Sequence, residues 1–158
     1  MLQTPSVSAA MAARGALVTP WIFQDFNTKS SWNPDVASRV ALLRQLASYA
    51  RDYYGDTPRG QRQADACLAW HLGFFCHYRP AVEDGGEYEG GLPRIEALLR
   101  CTDVSIHARM VEGLAVASSD SEALRNLNAV AKWEANTIAA AAQTSTKDSY
   151  LSRHYSRG

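Results

Sequence analysis

Cys67, His71, Cys76 and His77 are the densest group of soft-metal ligands in this sequence. Cys67 and His71 stand four residues apart and would share one face of a helix. At roughly 100° per residue, Cys76 falls about 180° and His77 about 80° away from Cys67. One regular helix therefore cannot bring all four to a tetrahedral zinc. Cys101 or His107 could complete a site only through tertiary folding, so buried cysteines and a partnered histidine are the simpler reading. Acid–base chemistry has less support: Glu83, Asp84, Glu87 and Glu89 crowd one glycine-rich stretch, which suits solvated carboxylates. There is no Gly-x-Ser-x-Gly elbow, no phosphate-cradling glycine loop and no His-Glu-x-x-His. The sequence thus predicts no catalytic residue, no metal and no cofactor.

Arginine is the other side chain suited to a site. Arg51, Arg59, Arg62, Arg79, Arg94, Arg100, Arg109 and Arg125 lie on or beside helical stretches rather than in one basic run. The guanidinium fork meets phosphate oxygens in a bidentate manner. Sixteen basic and sixteen acidic residues cancel, so no net field draws nucleic acid from a distance. Isolated arginines of this kind are ordinarily solvated; repetition of subunits would be needed to turn them into a continuous track.

The elements that position these residues read as helices. Asn33-Pro34 and Thr57-Pro58 each have the form of an N-cap with proline at the first helical position. Val36, Val40, Leu43, Ala47, Ala50 and Tyr54 follow at helical spacing and Gly55 ends the run. The second helix heads for Pro80 and is apolar nearly all round from Cys67 to Tyr78, as expected of a helix covered on several sides. Pro93 opens a third, with Ile95, Leu98, Leu99, Thr102 and Ile106 on one face. Ser119 and Glu122 have capping-box spacing and start the longest, whose buried stripe holds Leu124, Leu127, Ala131, Ala135, Ile138 and Ala142. Trp133 falls on the side opposite that stripe. The expected spans are about 34–54, 58–78, 93–108 and 120–143.

The predicted fold is therefore all-α, an antiparallel four-helix bundle. A short aromatic extended segment at Trp21-Ile22-Phe23 precedes it, residues 81–91 form an acidic loop, and tails over 1–20 and 144–158 are flexible. At 158 residues, 46% of them hydrophobic and 20% charged, the chain is predicted to be one soluble domain. No apolar run approaches the ~18 residues of a membrane span, and the start lacks the charged-then-apolar order of a secretory signal. Three cysteines cannot all pair within one chain, which suits a reducing compartment.

Two stretches carry a resemblance. Gly91 to Gly113 (GLPRIEALLRCTDVSIHARMVEG) has a proline start, an Ala-Leu-Leu centre, Asp103 and Val111-Glu112, and Ser30-Ser31-Trp32-Asn33-Pro34-Asp35 lies upstream. They resemble the third helix and the entry to the first helix in coat proteins of rod-shaped helical plant RNA viruses, the tobacco mosaic virus type. The resemblance implies a four-helix subunit that self-assembles into a helical rod around single-stranded RNA, found in the virion and the host cytoplasm. Two family arginines that contact phosphate are replaced here by Ser105 and His107, with Arg109 two residues on. Arg125 and Arg62 match two more. The resemblance and the exposed aromatics imply subunit contacts through Trp21, Phe23, Trp32, Glu112 and Trp133. Leu92 and Met110 replace two family carboxylates, so a carboxylate-driven disassembly switch is not expected.

Two other readings stand beside this one. A small helical adaptor would bind another protein through Trp133 and the apolar second helix. A metal-dependent helical enzyme would use Cys67, His71 and His107.

Overall fold

The computed structural model describes residues 11–80 and 92–139, and every regular element among them is an α-helix. In chain order these are α1 (Gly15–Val18), α2 (Ile22–Thr28), α3 (Val36–Tyr54), α4 (Pro58–Phe75), α5 (Arg94–Leu99), α6 (Val104–Ala115) and α7 (Asp120–Trp133). After a turn at Glu134, residues 135–139 are helical again. The expected tail 144–158, residues 1–10 of the expected tail 1–20, the acidic connector 81–91 and the last residues of the 120–143 span lie outside the described residues, while Gly15–Val18, expected within a flexible tail, is helical.

Local chemistry explains the helix ends. α3 is capped by Asp35, whose side chain accepts from the Ser38 N–H at 2.7 Å. Asn33, two residues earlier, serves elsewhere: its Oδ1 accepts from the Tyr78 hydroxyl at 2.8 Å. Gly55 closes α3 with φ 78° and donates to Arg51 O at 2.8 Å, a backbone region that favours glycine. Thr57 then caps α4 by accepting from the Gly60 N–H at 3.1 Å. α4 stops at Phe75 rather than at 78, because the N–H groups of His77 and Tyr78 bond back three residues to Phe74 O and Phe75 O. Such i to i+3 bonds tighten a last turn and end it.

Two expectations are corrected here. The span 93–108 is two helices, since Asp103 accepts from the Ser105 N–H at 2.7 Å and hydroxyl at 2.6 Å and caps a new start at Val104. An aspartate offering its side chain to the backbone competes with helix continuation. The aromatic segment around Trp21 is not extended: Ile22–Thr28 is helical, ended by Lys29 in the left-handed region at φ 53°.

α3 packs on α4, α4 on α6, α6 on α7, and α7 returns to α3, so the four longer helices close a ring. Val40, Leu43, Leu68, Leu72, Ile106, Met110, Leu114 and Leu127 fill it and are fully buried. α5 packs against α7 and α1 against α4. Trp21, just ahead of α2, is buried and meets Trp32, Phe75 and Tyr78 edge-on, at 4.8 Å between centroids for Tyr78.

Candidate nucleic-acid interface

One buried charged node sets α5 against α3. Glu96 is 1% exposed and accepts from both Arg39 and Arg100, the latter at 2.7 Å. Arg39 also lies over the Tyr78 ring, its guanidinium carbon 5.4 Å from the centroid. Burial alone would raise the Glu96 pKa; hydrogen bonds from Arg39 and Arg100 outweigh it and hold the carboxyl below its ordinary range. Since both partners are satisfied and Arg39 and Glu96 are both buried, the node serves structure rather than ligand binding.

The residues singled out from the sequence fall into three groups. His107 is buried, with Nε2 2.7 Å from Cys101 O, so it braces the turn between α5 and α6 and cannot meet a phosphate. Trp21 belongs to the core rather than to an outer contact surface. At the surface, Arg109 sits on α6 in an ion pair with Glu134 at 2.8 Å. Glu112, Phe23 and Trp32 are exposed. Arg62 and Arg125 are both exposed, but α4 and α7 face each other diagonally across the ring, so these two arginines do not share a surface.

Two cationic surfaces result. Arg59 and Arg62 are exposed in the first turns of α4, and exposed Tyr53, near the end of α3, meets Tyr54 edge-on at 5.0 Å. Exposed Asp52 and Asp56 dilute the charge there. The outward face of α7 is different. Ser121, Arg125, Asn128, Ala129, Lys132 and Trp133 are all exposed, and the one acidic side chain among them is half-buried Glu122. Each carboxylate nearby is already engaged. Asp120 accepts from Arg44, Glu134 from Arg109, and Glu122 from the Ser118 N–H at 2.8 Å and hydroxyl at 2.6 Å. Arg125 and Lys132 have no ion-pair partner among the described residues, although the Arg125 charge reaches Glu122 and helps lower its pKa after the two Ser118 hydrogen bonds. Trp133 is 83% exposed. Lys132, Asn128 and Tyr53 were not anticipated; the seven-residue interval from Arg125 to Lys132, two helical turns on one face, is the signal that could have revealed the α7 surface.

Among the described residues no three His, Cys, Asp or Glu side chains converge as a metal site. Cys67 Sγ lies 4.0 Å from His71 Nδ1, while the same nitrogen is 3.2 Å from Cys67 O. Cys76 and Cys101 are buried elsewhere, the former with its thiol pushed up to about 11, chiefly by burial.

No protein-family model matches the chain and no solved structure does. Curated proteins do. The tRNA-dihydrouridine(47) synthase-like protein of Homo sapiens is 31% identical over 74 residues, 47% of this chain and 11% of that protein. The Candida glabrata protein named tRNA-dihydrouridine(47) synthase is 30% identical over 79 residues, 50% of this chain and 12% of that protein. The Xenopus laevis counterpart is 30% identical over 122 residues, 72% of this chain and 19% of that protein. All three names include NAD(P)(+). The chain thus spans between about a tenth and a fifth of the length of these curated relatives.

These relatives overturn the coat-protein resemblance. Proteins named as tRNA-modifying enzymes replace a virion component, so the expected rod, its encapsidated genome and the virion location are withdrawn. The reading as a non-enzyme is corrected too, because the relatives are named as synthases, and the adaptor alternative gains no support. The physical reason is visible in the fold. Within Gly91–Gly113, Leu98 and Leu99 are buried core positions and Asp103 is a helix cap, features that any amphipathic helix pair supplies.

Proposed function

We propose that this chain is a helical module of a tRNA-dihydrouridine-synthase-like protein, and that it holds tRNA while other parts of such a protein carry out the chemistry. The single supporting observation is the similarity to synthase-named proteins, over 74 to 122 residues. The geometry is consistent with a holding role. A nicotinamide dinucleotide is ordinarily seated on a glycine-rich turn between a strand and a helix, and the described residues contain no strand. They therefore do not fit the NAD(P)(+) of the relatives' names. What the surface offers is exposed arginine and lysine without carboxylate partners, with aromatics beside them, the means by which proteins hold RNA without reacting with it.

The test is to map dihydrouridine in tRNA from cells that carry the complete protein, lack it, or carry it with Arg59, Arg62, Arg125 and Lys132 changed to Gln. Dihydrouridine at position 47, the site in the relatives' names, should disappear in the second case and fall in the third. An unchanged modification profile in cells lacking the protein would sink the proposal.

A further inference from the structure

Resting on the reading just proposed, we infer that the outward face of α7 is the RNA-contacting surface. On it Trp133 stacks on an unpaired base while Arg125 and Lys132 hold the adjoining phosphates. The partner class is RNA with at least one unstacked nucleotide, not a continuous duplex.

Charge complementarity carries the argument. Arg125, Ala129 and Lys132 lie along one line of α7, opposite buried Ala123, Leu127 and Ala131. Of the three acidic side chains nearby, Asp120 and Glu134 are paired with Arg44 and Arg109; Glu122, held by Ser118, keeps its charge and offsets part of that of Arg125, leaving Lys132 uncompensated. Arg125 and Lys132, seven residues apart, are separated by about 10 Å along the axis, far enough to meet different phosphates. Trp133 lies roughly 80° around the helix from Arg125 at 100° per residue, beside the cationic line. No ring of the described residues stacks on it, whereas Trp21, Trp32 and Trp70 each contact another ring. A large indole held on a rigid helix beside two cations is a stacking platform, and base–aromatic stacking is tolerant of base identity. The Asn128 amide donates to Leu124 O at 2.8 Å, which orients its oxygen and leaves it as a possible acceptor for a base or sugar. The α3–α4 corner competes poorly, because Asp52 and Asp56 stand among its arginines.

Binding of the full chain to an unmodified tRNA transcript, a single-stranded oligonucleotide and a fully paired RNA duplex, across a salt series, tests this. Trp133→Ala should weaken tRNA and single-strand binding about tenfold and leave duplex binding unchanged, while Trp133→Phe keeps most of the affinity. Arg125→Gln and Lys132→Gln should weaken all three RNAs and each lower the salt slope by about one. Because these side chains are exposed, circular dichroism of the variants should match the parent. If the parent binds tRNA but neither Trp133→Ala nor the charge variants change affinity, the α7 assignment is overturned and the tRNA reading survives. Equal loss on duplex and single strand in Trp133→Ala overturns the stacking role. Failure of the parent to bind tRNA even at low salt overturns both.

Discussion

Glu96 shows how much one carboxylate can govern. Its pKa is held below the ordinary value near 4.5, so the folded chain takes up its proton less readily than the unfolded chain does. The stabilisation it contributes is complete above that ordinary value and is lost as pH falls through the lowered one. Resistance of the parent to chemical denaturation should therefore weaken below about pH 4.5, and Glu96→Gln should flatten that part of the profile. Arg39→Ala, which leaves the Glu96 charge buried with only Arg100, should cost about 3–5 kcal/mol at neutral pH. The cysteines give a second check. With Cys76 and Cys101 buried and both thiols raised above their usual range by burial, alkylation of native protein near pH 8 should label Cys67 alone. The sequence could suggest that these cysteines were core residues. It could not show that Glu96 was, because a buried carboxylate is legible only once Arg39, 57 residues away, is seen beside it.

Among the elements, the turn from α3 to α4 is the tightest point. A Cβ added at Gly60 would stand 2.2 Å from Tyr54 O and 2.5 Å from Gly55 O, both backbone atoms. Gly60→Ala must therefore push the two helices apart and should lower stability by roughly 1–3 kcal/mol or more, measurable in urea. Helix starts were the most readable part of the sequence: Thr57-Pro58 and Ser119 cap where their chemistry says they should. Helix interruptions were less so. Residues Pro93 to Ile106 carry one continuous apolar stripe, and the break at Arg100–Asp103 depends on Asp103 capping and on His107 reaching Cys101 O, the second a contact that hydrophobic periodicity does not register. At Ser119 the expected reciprocal box is shifted by one, since the Glu122 carboxylate takes the Ser118 N–H instead of that of the cap.

For the whole molecule, the all-helical class followed directly from spacing and punctuation, because 3.6-residue periodicity and proline starts are local properties. Function did not. The stretch from Gly91 to Gly113 looked specific only because a proline, two leucines, an aspartate and a Val-Glu pair happen to be what two short capped helices require. The candidate surface was half legible: Arg125 and Trp133 were picked out from sequence, but His107 and Trp21 were taken for surface residues and proved internal.

α7 is held near both ends. Arg44 of α3 grips Asp120 at its first turn, and Arg109 of α6 grips Glu134 just beyond its last, with Leu127 locked in the core between. Such a helix behaves as a ruler. The backbone spacing between Arg125 and Lys132, about 10 Å along the axis, is set during folding while their flexible side chains adjust around it, so a polyanion lying along it is favoured when its charges recur at roughly that interval. Selectivity of that kind arises from length, and it needs no contact that reads a base.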